Sequence, residues 1–255
     1  MTADDLIAAL ALPVGSRIAQ RIPKKMLAEN GAPTAADKRQ ITDNIEELTW
    51  SAVLKPDTVG VPAYRDETRE YLELSVVSVT LRPKASPTRI MELIHRAIPY
   101  PVILVASQES SLSLSLAHKR WSQNEAGKTV LDGEALCANL TGTPSESEFL
   151  AALALSAQPR NDLKALYQGW LDTVIALHAA DITGTFIKST TPQHAETRRV
   201  ALQECQRLET EINRLSAVAT REKQSPRQVD ANLDIQRLKH SFNLLKASLH
   251  KGHVS

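Results

Sequence analysis

The side chains able to do chemistry in this chain are scattered, and their spacings complete no catalytic arrangement. Seven histidines are present, and only His250 and His253 stand at metal-ligand spacing. They lie at the C-terminus, where solvated tail residues are the simpler account. His95 precedes Arg96 and can either face a cleft or cap a carbonyl at a helix end. The nine glycines form neither GxxxxGK[ST] nor GxGxxG, so neither phosphate cradle is present. A metal nuclease needs an acidic residue near a (D/E)xK tripeptide, because two carboxylates hold the metal and the lysine orients water. Glu73 is followed by Leu-Ser, and neither Asp132 nor Glu134 has a lysine two positions on. No serine sits in GxSxG. No catalytic residue, metal site or cofactor is assigned. One residual enzymatic reading groups His95, Arg65 and Glu73.

Two basic runs remain. Arg17, Arg21, Lys24 and Lys25 suit phosphates or an acidic partner, or simply form a solvated face balanced by Asp37, Asp43, Glu46 and Glu47. His118, Lys119 and Arg120 precede Trp121, a cationic run beside an aromatic. It can stack on a base, or the Trp can close a core edge while the cations snorkel outward.

The elements that would carry these groups follow from hydrophobic period. Thr2 caps a short helix ended by Pro13. Ser16–Glu29 reads as an amphipathic helix interrupted at Pro23, and Thr34 caps a third helix with Ile41, Ile45 and Leu48 on one face. Trp50–Lys55 and Thr58–Tyr64 read as short strands around a Pro56-Asp57 turn. Tyr71–Leu81 alternates, with a phase slip at Val76-Val77 that marks a bulge or a strand covered on both faces. A helix from Ser86-Pro87 to Ile98 leads to the apolar run Pro101–Ala106, a central buried strand, so the two strands form a parallel βαβ unit. Leu112, Leu114 and Leu116 alternate with serines as a half-exposed strand. Thr129–Leu140 adds one or two more, with Asp132-Gly133 as a hairpin turn. Ser145-x-x-Glu148 reads as a capping box. The stripe Leu163, Leu166, Tyr167, Trp170, Leu171, Val174 and Leu177 belongs to the globular part.

Beyond a Thr- and Ser-rich linker the pattern becomes strictly heptad. Ala201, Cys205, Leu208, Ile212, Leu215 and Ala219 step by four and three; Ala231, Ile235, Leu238, Phe242, Leu245 and Leu249 repeat those steps. The break at Lys223–Arg227 favours an antiparallel hairpin, with pairing between chains as the competitor. The fold expected is α/β (α+β): a mixed sheet with flanking helices over 1–186, then a coiled-coil hairpin over 194–251.

Composition sets limits. The net charge of +1 provides no global field toward nucleic acid or membrane, so any such binding needs a local patch. Cys137 and Cys205 are too few and too far apart for a disulfide framework or zinc. No apolar run spans a bilayer, and the acidic N-terminus lacks a signal peptide's basic region, so the cytoplasm is expected.

Several segments taken in order resemble the bacterial domain-of-unknown-function family DUF4391. They are Arg21-Ile-Pro-Lys-Lys25, Ala32–Lys38, Ile45–Trp50, Val61–Arg65, His95–Pro101 and Leu116–Trp121. The likeness runs from Val14 to about Phe186. It implies a gene neighbourhood of helicases and DNA methyltransferases in restriction-like phage-defence islands, and hence an accessory role. It carries over no active site. Some motif residues (Trp50, Pro99, Pro101) serve packing equally well, and the coiled coil is where members are expected to differ most. A helicase or methyltransferase partner is therefore expected, with nucleic-acid binding as the alternative and homodimerisation open.

Overall fold

The computed structural model describes residues 1–125, 127–222 and 225–250. The Lys223-Gln224 break and His253 lie outside them. The chain divides into two compact units, the first from Met1 to Val174 and the second from Ile175 onward.

The first unit opens with α1 (Ala3–Ala9), started by a capping box in which Thr2 Oγ1 accepts from Asp5 N (3.2 Å) and Asp5 accepts from Thr2 N (2.8 Å). Then come β1 (Arg17–Arg21), α2 (Lys24–Asn30), α3 (Ala35–Asn44), β2 (Ile45–Leu54) and α4 (Pro56–Val59). The short strands β3 (Tyr64–Arg65) and β4 (Glu70–Tyr71) precede β5 (Leu74–Leu81), α5 (Pro87–Ala97), β6 (Val102–Gln108) and β7 (Ser111–Leu116). The strands β8 (Lys119–Trp121), β9 (Thr129–Leu131) and β10 (Leu136–Leu140), helix α6 (Ser145–Ala152) and the part of α7 (Leu163–Thr183) up to Val174 complete the run.

Six strands make a mixed sheet in the order β1-β2-β5-β6-β7-β10. Only β5 and β6 pair parallel, Ser75↔Val102 through Leu81↔Gln108, and α5 crosses between them as expected. The phase slip at Val76-Val77 marks a strand covered on both faces, since β5 runs unbroken beside β6 with Leu74, Val76 and Val77 all buried, and the bulge lies in the neighbouring strand. Trp50 pairs with Val77 and Ala52 with Val76, so Ser51 is the extra residue of a bulge in β2. One sheet face packs on α2, α3 and α5 through Leu27, Ile41, Val77, Val79, Leu93 and Ile94. Against the other lie α1 and α7. Tyr167 donates to Val102 O (2.7 Å) and accepts from Ala117 N (2.9 Å), which ties α7 to the sheet.

Several local expectations need correcting. Residues 17–21 form an exposed edge strand rather than a helix, because pairing with β2 outweighs helix propensity and Pro23 forbids continuation. The third helix stops at Asn44, and Ile45 and Leu48 belong to β2. Pro56–Val59 is a helical turn closed by Gly60 at φ 65°, a left-handed position that suits glycine. Tyr71 and Leu74 fall in separate strands. Ser113 and Ser115 are buried, so β7 is covered on both faces. The α6 start is held by Glu146, whose carboxylate accepts from the amides of Thr141, Gly142 and Thr143, and the predicted Ser145 cap is absent.

In the second unit α8 (Pro192–Arg221) and α9 (Ser225–His250) pack closely against each other as a helix pair. The heptad seam is real. Cys205, Leu208, Ile235 and Leu249 are buried, and Ile212, Leu215, Leu238, Phe242 and Leu245 are half-buried. The pairing is within one chain.

Candidate functional site: a polar cleft and the cationic runs around it

The run His118-Lys119-Arg120 is divided among three environments. His118, on the approach to β8, makes a 2.5 Å hydrogen bond through Nδ1 with Tyr71 Oη and a 2.8 Å one through Nε2 with Gln168 Oε1. Gln168 donates its amide to Asp172 (2.8 Å), which fixes its carbonyl toward the ring. His118 is thereby set as the neutral Nε2–H tautomer with Tyr71 donating to Nδ1. Burial pushes its pKa down, in the same direction.

Lys119 turns the other way and is only 2% exposed. Its ammonium donates to His95 O and Ile98 O, the terminal carbonyls of α5, and so caps that helix at the negative end of its dipole. Burial lowers its pKa to about 7. The adjacent His95 is fully buried, contacts Ser115 Oγ through Nε2 (3.0 Å), and is pushed to about 3 by burial and by the Lys119 charge. A cationic run in sequence is thus partly an internal strut.

Arg120 alone of the three reaches a cleft of about 980 Å³. The β8–β9 ribbon forms one wall, and Arg96 of α5 with the Gly31–Pro33 loop forms the other. The walls stand where they do because Gly31 lets α2 approach α5: a Cβ there would lie 2.6 Å from Ala97 Cβ and from Leu93 O. Arg96 pairs with Glu92 (2.7 Å), and Arg89 bridges Glu92 and Asp37, which ties α5 to the start of α3. Behind the ribbon, Arg69 and Arg120 share the carboxylate of Asp132, Arg120 at 3.8 Å. Tyr64 donates to Asp66 (2.6 Å), and Thr68 and Arg69 amides donate to the same carboxylate, which holds its pKa well below the usual range.

The N-terminal run is divided as well. Arg17 and Arg21 are exposed on β1, and Lys25 is exposed on α2 beside Glu29 (3.8 Å). Lys24 donates to Thr42 O (3.4 Å) and to Ile45 O at the end of α3. Burial, then the charges of Arg82 and Arg21, lower the Lys24 pKa. The fold therefore brings Arg21 and Arg82 near Lys24 together with the carboxylates of Asp43 and Glu46, which act on it in the opposite direction, and Arg82, 58 positions from Lys24 in the chain numbering, carried no sequence signal. Arg65, Glu73 and His95 are engaged separately: Arg65 with Glu70 (3.3 Å), Glu73 with Lys55 (3.6 Å), and His95 with Ser115. Among the described residues no group of His, Cys, Asp and Glu has metal-binding geometry, and no helix is long and apolar enough to cross a membrane.

On the helix pair, the outer surface of α8 carries Glu204–Arg207 and Glu211–Arg214 pairs beside the exposed Val200 and Val218. On α9, Val229, Leu233 and Leu244 are 57, 53 and 61% exposed. At about 100° per residue they fall within roughly 60° of one another, opposite the seam. This apolar stripe was not marked in the sequence because its spacing, four and then eleven, hides behind the regular seam.

A mixed α/β unit followed by a paired-helix unit is the class of protein these features define. The chain belongs to a family described as a domain of unknown function, DUF4391, whose model matches residues 10–242. The match extends through α8 and most of α9, well beyond the expected end near Phe186. No curated protein and no solved structure matches the chain.

Proposed function

We propose that the chain is a non-enzymatic accessory subunit of a bacterial antiphage, restriction-like complex, docking on a helicase or DNA methyltransferase partner. The observation that carries this reading is the α9 stripe of Val229, Leu233 and Leu244, three large apolar side chains exposed opposite the seam. Each costs hydration free energy that a partner surface would recover, on the order of 1.5–3 kcal/mol per fully covered side chain. The reading also fits how the polar residues are used: His118, Lys119 and Asp132 join one element to another, and Asp66 pairs with Lys164 of α7. The partner class rests on the family resemblance.

The test is affinity capture of the tagged chain from cells expressing its neighbouring genes. The wild type is expected to bring down a helicase or methyltransferase, and the triple variant Val229→Ser, Leu233→Ser, Leu244→Ser at least tenfold less. Recovery of the chain alone would defeat the reading.

A second reading, nucleic-acid binding, rests on Arg21, Lys24 and Arg82 lying near one another, against the carboxylates of Asp43 and Glu46 beside them. It requires DNA affinity that falls steeply with salt and drops on Arg21→Glu with Arg82→Glu. Salt-independent or absent binding would remove it.

A further inference from the structure

The β8–β9 ribbon leaves a directional need unmet on one side. Its register pairs Lys119↔Leu131, Arg120↔Val130 and Trp121↔Thr129. At its ends Ser122 N donates to Lys128 O (2.8 Å) and Asp132 N to His118 O (2.9 Å). Residues of an antiparallel pair alternate between exchanging bonds with the partner and pointing their N–H and C=O outward. These end bonds put 118, 120 and 122 in the inward-bonding set with 132, 130 and 128. Residues 119, 121, 129 and 131 therefore point outward. On β8 the outward edge is used, Trp121 N donating to Thr68 O (2.8 Å). On β9 the outward groups belong to Thr129 and Leu131, both of which line the cleft.

The two faces of the ribbon differ in chemistry. Lys119 and Thr129 point toward the end of α5, Thr129 Oγ1 donating to Pro99 O (2.9 Å). Arg120 and Val130, being cross-strand neighbours, share the opposite face. There Asp132 is taken up closely by Arg69 and stands 3.8 Å from Arg120, so Arg120 is the under-paired cation of a cleft whose lining otherwise sets Glu29, Glu92 and Glu134 against Arg96 and Lys128. Two outward donors, two outward acceptors and the under-paired Arg120 fit an extended peptide that carries one acidic side chain at the position facing Arg120. A cleft of about 980 Å³ has room for several residues of one.

We infer that this cleft binds an extended segment of a partner protein, which adds as a strand beside Thr129–Leu131 and sets an acidic side chain against Arg120. Main-chain bonds supply affinity and the alternate side chains supply selectivity. The site lies wholly in the first unit, so it stands or falls separately from the α9 stripe.

The probe is a phage-displayed library of random heptapeptides selected on the full chain, with enriched peptides synthesised and titrated by fluorescence anisotropy. Enriched sequences are expected to carry Asp or Glu at one fixed position, a preference lost on Arg120→Gln. N-methylation at every second peptide bond is expected to weaken binding at least tenfold, with the intervening bonds tolerant. Leu131→Pro removes an outward N–H that the β8–β9 ladder does not use, and is expected to weaken binding tenfold at an unchanged unfolding midpoint. Should that variant fail to fold, the N-methyl scan on the wild type decides the matter. Failure to enrich any peptide, an N-methyl scan without alternation, or wild-type binding by a folded Leu131→Pro would each overturn the proposal. Concentration-dependent dimerisation that protects the Thr129 and Leu131 amides would overturn it too, by making a second copy the occupant.

Discussion

Replacing Lys119 by Met tests the internal strut most sharply. Met keeps the length and apolar volume of the side chain while removing the ammonium that caps α5 through His95 O and Ile98 O. The buried lysine has its pKa lowered from 10.5 to about 7. Between those values the unfolded chain binds the proton and the folded chain releases it, so wild-type stability rises with pH across that window. Full displacement corresponds to about 5 kcal/mol, at 1.36 kcal/mol per pH unit. The two carbonyls and the helix dipole hold part of the charge, so the gain lies below that limit. From pH 7 to 9.5 the wild type should gain roughly 1–3 kcal/mol relative to Lys119→Met. Urea unfolding of both proteins at pH 7, 8, 9 and 9.5, followed by circular dichroism, gives the difference curve. Taking the difference cancels the thiols of Cys137 and Cys205, whose raised pKa values act in the opposite direction. At pH 7 the variant should also lose stability where two helix-end carbonyls go unpaired, about 1–3 kcal/mol each, less the relief of burying no charge. A flat difference curve would mean that the ammonium stays charged and hydrated, and the reasoning would fail.

The acid limb draws on His95, held neutral down to about pH 3 by burial and by Lys119, together with His118, whose pKa burial also lowers. The His95 contribution is complete above pH 6.5 and is lost as pH falls toward 3, so urea midpoints should drop across pH 6.5–4 and drop less in His95→Gln. Glu146→Ala should cost about 1–3 kcal/mol, since three amides lose their acceptor; thermal unfolding would reveal an unchanged midpoint if they were solvated already. Gly31→Ala should cost roughly 1–3 kcal/mol through overpacking against Ala97 and Leu93 and should widen the cleft, with weaker peptide binding as a second readout.

Local periodicity made much of this fold legible. The buried run Pro101–Ala106, its crossover helix and the four-three steps of α8 and α9 are signals in which each residue's neighbours decide its place. Residues 17–21 carry a helical signal because Arg, Ala and Gln are good helix formers, and only the distant β2 turns them into a strand. Serines at 113 and 115 looked solvated because alternation usually marks one wet face, whereas here they meet Asn139 and His95. The site was the least legible part. Lys119 read as a surface cation because nothing local shows that α5 ends over it, and the cleft joins segments some hundred positions apart. The α9 stripe was present in the letters but overshadowed by the stronger seam.

The central claim, that the exposed α9 face is a docking surface for a helicase or methyltransferase, is tested most directly by light scattering. The purified chain would be measured alone and mixed with each purified neighbour-encoded protein, at low and moderate salt. A one-to-one complex that persists at moderate salt and disappears with the Val229, Leu233 and Leu244 serine variant is the predicted result, because apolar burial is not screened. Masses that remain those of the separate proteins, or a complex indifferent to the three substitutions, would contradict it.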